Sequence, residues 1–295
     1  MSPRKTFTDK TIDKFNRKKA SRNSPQHAEA IARREANGGK PPQKPKNPKA
    51  IDRPITLPQD AIDWVKSMLV HEDEAIMGFN KPSNLSSQGG RGNFHNLDDL
   101  LWAFAKSNGK KPRLLHRLDR DTSGIILAAK TKPGAAFMGK AIAGRDVHKT
   151  YLCVVGNPHK LADSGVIEVP LRREEIGKEG YSRVCAPDHP DAQTAKTTYR
   201  VLDRTDTSAL VLCEPFTGRM HQIRVHLAHL GAPIAGDVRY GGALSLDGIR
   251  VPRLMLHARA IEFPHPNGGR KTLEAPLNDD IRALCEGLGL KVSAG

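Results

Sequence analysis

Asp119 lies in a short polar turn that runs directly into a long apolar segment. The turn starts at His116 and reads HRLDRDTSG, and the residues after it read IILAA, which is typical of a buried strand. An aspartate in a turn usually caps a helix or bonds its own backbone, and we interpret the neighbouring Asp121 in that way. A carboxylate fixed against a strand, beside a histidine and two arginines, can instead act as a nucleophile or a base. Asp119 is therefore the first candidate catalytic residue.

A second group of reactive side chains lies about a hundred residues further along the chain. The sequence starting at Gly218 reads GRMHQIRVHLAHLGAPIAGDVRYG, and its apolar residues recur at helical spacing over 219–230. This pattern predicts an amphipathic helix with His221 and Arg224 on one face. We expect the Arg224 guanidinium to reach Asp119, because an opposite charge lowers the pKa of a carboxylate and a planar fork orients it.

Two further arginines and a tyrosine complete this set of candidates. Arg219 and Arg239 stand near the two ends of the same stretch, and we expect both to bind phosphate. Tyr151 belongs to the strand-like segment KTYLCVV, in which Tyr151 and Cys153 share a face. A tyrosine in such a strand is more often a core residue than a catalytic one.

Three of these segments resemble the active-site motifs of the RluA-type pseudouridine synthases. The patterns HRLDxxTSG, KxYxxxV and GRxHQIRxHLxxxGxPIxGDxxYG carry the resemblance, which extends over about residues 75–280. It implies that Asp119 is the catalytic residue, acting at the ribose as nucleophile or base without a cofactor. It also implies that Tyr151 stacks on the flipped-out target base and takes part in removing its proton.

The resemblance further implies a set of residues that contact RNA. His116 and Arg117 would touch the RNA backbone or fill the space left by the flipped base, although a purely structural histidine is an equal alternative for His116. Lys81 belongs to an N-K-P strand typical of the family, but the loop after it reads Ser-Asn-Leu where the family usually has glycine before leucine. The candidate RNA-binding residues are Lys81, His116, Arg117, Arg219, His221 and Arg239.

Metal and disulfide chemistry are not expected. Four histidines (221, 226, 229 and 257) occur in this part of the chain, but the first three point to different sides of the predicted helix and no carboxylate joins them at ligand spacing. The four cysteines lie far apart and include no C-x-x-C pair. This pattern favours a reducing cytoplasm.

The alternation of apolar and polar residues predicts an α+β fold with a mixed, mostly antiparallel sheet flanked by helices. We expect Asn96 to cap the second helix. The predicted helices cover 59–70, 97–105, 133–142, 219–230 and 279–287. The predicted strands cover 75–82, 150–155, 166–171, 194–202, 208–213 and 253–263.

The charge of the chain is unevenly distributed. The 295 residues carry a net charge of +15, and residues 1–50 contribute 14 Lys and Arg against four Asp and Glu. We interpret 1–50 as a disordered basic tail and 51–290 as a single catalytic domain. The tail is either an RNA-binding arm or a solubilising extension, and its acidic residues disfavour a transit peptide. No apolar run is long enough to cross a membrane, and no secretory signal is evident.

The predicted function is that of a cytoplasmic RNA pseudouridine synthase that flips and isomerises specific uridines in structured RNA. Ribosomal RNA is favoured as the substrate and transfer RNA is possible; no obligate protein partner is expected. Two alternatives are an RNA-binding relative without catalysis and a glycosidase that cleaves the base. Retention of Asp119, Tyr151 and Arg224 argues against the first, and the absence of paired carboxylates near Asp119, other than Asp121, argues against the second.

Overall fold

The computed structural model describes residues 55–89, 96–107, 109–177 and 179–292, which belong to one compact unit. The stretch predicted as a tail lies outside the described residues. The helices are α1 Gln59–Ser67, α2 Leu97–Leu100, α3 Lys132–Ala143, α4 Gln222–His229 and α5 Asp279–Gly287, with 3-10 turns at Leu101–Phe104 and Pro158–Lys160. The strands are β1 Leu69–Glu72, β2 Ile76–Lys81, β3 Arg113–Leu114, β4 Ser123–Ala129, β5 His148–Gly156, β6 Ser164–Ile167, β7 Leu171–Ile176, β8 Glu179–Val184, β9 Thr197–Arg204, β10 Ser208–Pro215, β11 Ser245–Leu246, β12 Ile249–Arg250, β13 Leu256–Pro264 and β14 Arg270–Glu274.

One large sheet organises the molecule. Its strand order is β1-β2-β4-β13-β5-β10-β9-β6, with β3 paired to β4 and β14 paired to β13. β4 and β13 run parallel, and the other neighbouring strands of this sheet run antiparallel. The predicted α+β fold with a mixed, mostly antiparallel sheet is therefore confirmed.

The apolar run after the Asp119 turn forms β4, and all seven of its residues are buried. Gly124 of this strand pairs with Ala258 of β13 and has a φ of +112°. A Cβ atom at this position would overlap the carbonyl oxygen of Ala258, so only glycine permits the two strands to come this close. The glycine of the HRLDRDTSG turn thus fixes where β4 begins and where the side chain of Asp119 emerges.

Some predicted boundaries differ from the observed ones. The first helix ends at Ser67 rather than at residue 70, because Leu69 already pairs with Phe79 in the sheet. The strand predicted over 166–171 is divided between β6 and β7 at Pro170, which has no N–H to continue a ladder. Among the described helices none is both long and apolar enough to cross a membrane.

The β7–β8 hairpin forms a separate two-stranded sheet that packs beside α4. Ser182 of the hairpin donates its hydroxyl to the carbonyl of Met220 at 2.5 Å, and its N–H donates to the hydroxyl of Tyr240 at 2.9 Å. Val225 of α4 packs with Leu171 in a small second core beneath the hairpin. The hairpin therefore fixes the chain immediately before α4.

Candidate active site

Asp119 lies in the turn between β3 and β4 and lines a cleft of about 580 Å³. Ser87 fixes the backbone just before it, since its hydroxyl bonds both the N–H and the carbonyl of the buried Leu118. The Asp119 side chain is 33% exposed. Asp121 does not line the cleft and pairs with Arg120 at 2.9 Å on the surface, in keeping with its interpretation as a turn residue.

Arg224 lies beside Asp119, but its fork grips a different carboxylate. Its Nη1 is 3.8 Å from Asp119 Oδ2, whereas its Nε and Nη2 each donate to Asp237 at 2.7 Å. The expected bidentate pairing with Asp119 is therefore wrong, although the expected proximity is present. Burial acts to lower the pKa of Arg224, and the hydrogen bonds and charge of Asp237 overcome this effect and raise it. Arg224 thus presents one fixed, permanently charged N–H edge to Asp119.

His221 occupies a turn before α4 rather than the helix itself. The predicted helix over 219–230 begins only at Gln222, because Gln222 Oε1 accepts from the N–H of Arg219 and the hydroxyl of Thr217 and so closes a loop. His221 has a φ of +55°, in the left-handed region. This conformation, and not a shared helix face, brings its Nε2 to 3.8 Å from Asp119 Oδ2.

The other ring nitrogen of His221 is held by Tyr240. Nδ1 lies 2.7 Å from the Tyr240 hydroxyl, which already accepts from Ser182. Burial lowers the pKa of His221 although Asp119 acts to raise it, so the ring is neutral at pH 7. We assign its hydrogen to Nε2, facing Asp119, because the Tyr240 hydroxyl then donates to Nδ1.

Tyr151 lies on β5 and lines the same cleft with only 9% of its surface exposed. Burial and, secondarily, the charge of Asp119 raise the pKa of Tyr151 well above its usual value. The phenol is therefore protonated at neutral pH. Within the described part of the chain its hydroxyl makes no hydrogen bond, which leaves it free for a ligand.

Lys149 is a cleft residue that the sequence analysis did not select. It precedes Tyr151 by two positions on β5 and lines the cleft, and burial lowers its pKa. No described carboxylate pairs with its ammonium. The sequence signal for Lys149 is its place in the KxY pattern, two positions before Tyr151 and on the same face of the strand.

His116 and Lys81 have structural partners. His116 Nε2 accepts from the N–H of Leu127 at 3.1 Å, and burial lowers the pKa of His116 well below its usual value. The structural alternative for His116 is therefore favoured. Lys81 is fully buried, and its ammonium donates to the carbonyls of Pro82, Leu85 and Arg120 at 2.8, 2.8 and 3.1 Å. The RNA contact predicted for Lys81 is contradicted by this burial.

Through these hydrogen bonds Lys81 joins the loop 82–85 to the turn that contains Asp119. Burial lowers the pKa of Lys81 to about 7, although the charges of Asp119 and Asp121 act to raise it. The loop that it holds contains Asn84 with a φ of +65°. Asparagine tolerates this left-handed conformation better than most residues, which explains how the loop forms without the glycine that is usual in the family.

The remaining predicted arginines lie in different surroundings. Arg117 and Arg219 line the cleft, and Arg219 Nε also donates to the carbonyl of Thr194 at 3.1 Å. Arg239 does not line it; its guanidinium donates to the Gly180 carbonyl at 2.6 Å and to Glu179 at 2.9 Å. The phosphate contact expected of Arg239 therefore requires it to leave the β7–β8 hairpin.

The described residues contain no group of three or more His, Cys, Asp or Glu side chains arranged to hold a metal ion. His226 lies 2.9 Å from the hydroxyl of Thr197, and His257 lies 2.9 Å from that of Ser123. Burial lowers the pKa of both histidines to about 4. These two side chains are neutral parts of the core.

Fold and site together define a single-carboxylate centre with an adjacent guanidinium, a neutral histidine and a buried phenol. The family model described as RNA pseudouridylate synthase matches residues 75–229, more than half of the chain. The chain therefore belongs to the RNA pseudouridylate synthase family, and the resemblance noted in the sequence is confirmed.

Individual relatives agree with this assignment. The chain is 36% identical over 229 residues to "Ribosomal large subunit pseudouridine synthase D" of Nitrosomonas europaea, covering 75% of this chain and 64% of that relative. It is 33% identical over 233 residues to "Ribosomal large subunit pseudouridine synthase C" of Yersinia pestis, covering 77% and 71%. The solved structure of "Human RNA Pseudouridylate Synthase Domain Containing 4" superposes with a TM-score of 0.65 at 26% identity, covering 79% of this chain and 98% of that one.

Proposed function

We propose that the protein is an RNA pseudouridine synthase that isomerises uridines in ribosomal RNA. The observation that carries the proposal is the pairing of an accessible Asp119 carboxylate with the edge of Arg224 and the ring of His221, both at 3.8 Å, in one cleft with Tyr151. Family membership and the names of the two ribosomal relatives support both the reaction and the class of RNA. Transfer RNA remains the second candidate substrate.

The reaction requires only proton transfers and one migrating base. The bond between N1 of uracil and C1′ of ribose breaks, the base turns, and a bond from C5 to C1′ forms. The C5 proton is released and N1 takes one up, so atoms and electrons balance without a redox partner or a cofactor. Asp119 acts at the ribose, either as a nucleophile at C1′ or as a base on the sugar.

Each neighbour of Asp119 has a distinct task in this scheme. Arg224, held by Asp237, presents a fixed positive charge 3.8 Å from the Asp119 carboxylate. Tyr151 stacks on the extruded base, and because its phenol is protonated at neutral pH it can also donate a hydrogen bond to that base. Arg117, Arg219 and Lys149 line the cleft as cations for phosphate.

The substrate must enter the cleft as a flipped nucleotide, since a base inside a helix hides its reacting atoms. We further propose that the protein works in the cytoplasm on its RNA without an obligate protein partner. The basic stretch 1–50 would add sequence-independent attraction to phosphate, and the alternative of a solubilising extension stays open.

Pseudouridine mapping tests the proposal. Ribosomal and transfer RNA from cells lacking the gene are compared with wild-type RNA, and the purified protein is then added to the unmodified RNA. We expect one or more sites in large-subunit ribosomal RNA to disappear in the deletion and to return with the protein. Loss of pseudouridines in transfer RNA alone would show that transfer RNA is the substrate instead. Release of free uracil would show that the protein cleaves the base and does not isomerise it.

A further inference from the structure

Phe216 presents a large aromatic ring to water at the edge of the candidate active site. Its surface is 54% exposed, and it lines the cleft that contains Asp119. Two other described aromatic side chains are comparably exposed, Trp64 at 46% and Phe137 at 41%, and neither lines this cleft. An exposed aromatic ring that lines a cleft offers a face on which a nucleobase can stack.

The loop that carries Phe216 is held by a closed set of hydrogen bonds. The N–H of Phe216 donates to the carbonyl of Lys196 at 2.9 Å, and the N–H of Lys196 donates to the hydroxyl of Thr217 at 3.1 Å. Gln222 of α4 completes the set, because its Nε2 donates to the Lys196 carbonyl and its Oε1 accepts from the Thr217 hydroxyl. The ring is therefore a preformed surface and its exposure is not the result of a loose loop.

One cation lies beside this ring and a second lines the same cleft. The ammonium of Lys196 is 5.8 Å from the ring centroid, and Arg219 is a lining residue three positions further along the chain. Lys196 also pairs with Glu168 at 3.1 Å, but both side chains are well exposed, so this pair can be exchanged for a phosphate at little cost. An aromatic face beside two cations is the combination that binds single-stranded nucleic acid.

The position of Phe216 relative to Tyr151 indicates which nucleotide it meets. Tyr151 pairs with Cys213 across β5 and β10, and Phe216 follows Cys213 by three residues. Three residues of extended chain span about 10 Å, so the two rings start from backbone positions that are well separated along the strand. Tyr151 is also buried, whereas more than half of the Phe216 surface is exposed, so the two rings meet different parts of a bound RNA.

We propose that Phe216 is a stacking platform for a nucleobase next to the target uridine, with Lys196 and Arg219 receiving the adjoining phosphates. The inference rests on the proposed function, because it takes RNA as the occupant of the cleft. It assigns a second base-binding position to the protein, separate from the one that receives the reacting base.

Direct binding tests the platform without relying on catalysis. Dissociation constants are measured by fluorescence anisotropy with a labelled 12-nucleotide oligouridylate for the wild type, F216A, F216W and F137A. We expect F216A to bind about 5- to 100-fold more weakly, the range that loss of one base stack produces. F216W should bind as the wild type does, and F137A, which removes a comparably exposed ring outside the cleft, should leave the dissociation constant unchanged. Equal constants for F216A and the wild type would overturn the inference.

A second measurement locates the stacked base. The ribosomal RNA fragment modified by the wild type is prepared with single abasic nucleotides on either side of the target uridine. At one flanking position the abasic RNA should bind F216A and the wild type equally, because the stacking partner is already absent. If F216A weakens binding yet no RNA is isomerised, the proposed function fails and the platform stands. If the wild type is active and no flanking position cancels the effect of F216A, the platform fails and the proposed function stands.

Discussion

Two aspartates of this protein each have histidines and cations around them, and they are used in opposite ways. Asp73, in the turn between β1 and β2, accepts five hydrogen bonds through its carboxylate. The donors are the N–H groups of Ala75 and Ile76 and the side chains of His71, His265 and Lys271. Asp119 has His221 and Arg224 at 3.8 Å and no hydrogen bond to its carboxylate from any described residue. One carboxylate is saturated, and the other keeps its lone pairs for a substrate.

Nearby charges alone do not distinguish a structural carboxylate from a reactive one. Burial acts to raise the pKa of Asp73, but its hydrogen bonds, the one with His71 first, lower that pKa far below its usual range. Such a group is stable and unreactive. The two residues beside Asp119 instead bond other partners: Arg224 bonds Asp237, and His221 bonds Tyr240. These bonds orient Arg224 and His221 toward Asp119 while the Asp119 carboxylate itself accepts no hydrogen bond from them.

The largest expected effect is a loss of activity when Asp119, but not Asp73, is replaced. D119N should lower isomerisation about 10⁴-fold or more, because Asp119 is the only carboxylate among the described residues that line the cleft, while RNA binding and thermal stability remain. Release of the C5 hydrogen from RNA labelled with tritium at that position measures the rate. D73N is the matched control and should keep its rate per folded molecule. Undiminished tritium release by D119N would refute the assignment of Asp119.

The next effect concerns the carboxylate behind Arg224. D237N should reduce the free energy of unfolding by about 3–5 kcal/mol, because the guanidinium of Arg224 stays buried without its counter-charge. Denaturant unfolding measures the change. E179Q, which removes the exposed partner of Arg239, should change stability by less than about 1 kcal/mol. Similar losses in both variants would mean that the buried pair does not support the site.

A smaller and pH-dependent effect is expected at Asp73. D73N should lower stability at neutral pH by about 1.5–3 kcal/mol, since hydrogen bonds to a charged group are lost. The folded-state pKa of Asp73 lies below its ordinary value of 3.8, so this stabilisation is complete above that value and disappears as the pH falls further. Unfolding measured from pH 7 down to pH 2 should therefore show a constant stability difference between D73N and the wild type at the higher pH values, and this difference should begin to shrink below about pH 4. Parallel curves would show that Asp73 does not titrate as the structure requires.

Much of the site could be predicted because it depends on local patterns. Asp119 and Tyr151 each stand at a strand end or within a strand that the apolar pattern predicted, and both line the observed cleft. The choice of Asp119 over Asp121 agrees with the structure for a local reason: the N–H of Thr122 bonds the carbonyl of Asp119 and closes a turn, and Asp121 lies within this turn and pairs with Arg120. Arg224 was predicted close to Asp119, and it is.

The remaining features depend on packing between distant parts of the chain. The pairing of Arg224 with Asp237 arises where α4 meets a later turn, and the pattern GDxxYG gave no geometric reason for it. Lys81 lies on a strand that reads as partly polar, yet three carbonyls from two loops enclose its ammonium. The left-handed conformation of His221 depends on a loop closed by Gln222 and cannot be seen in a helical pattern. Periodicity predicts which elements form and cannot predict which side chains meet across them.

The smallest expected effect tests whether Tyr240, which orients the His221 ring beside Asp119, contributes to activity. Y240F removes the hydroxyl that holds His221 Nδ1 at 2.7 Å, so the neutral ring is no longer fixed with its Nε2 hydrogen toward Asp119. Loss of one such hydrogen bond should lower kcat about five- to tenfold and leave the Kd for RNA nearly constant. Y181F is the matched control, because the hydroxyl of Tyr181 bonds the exposed Glu179 at 3.3 Å and no other described residue. If Y181F and Y240F lower kcat equally, the effect belongs to the packing of the hairpin; if only Y240F does, the donors around Asp119 act through their orientation.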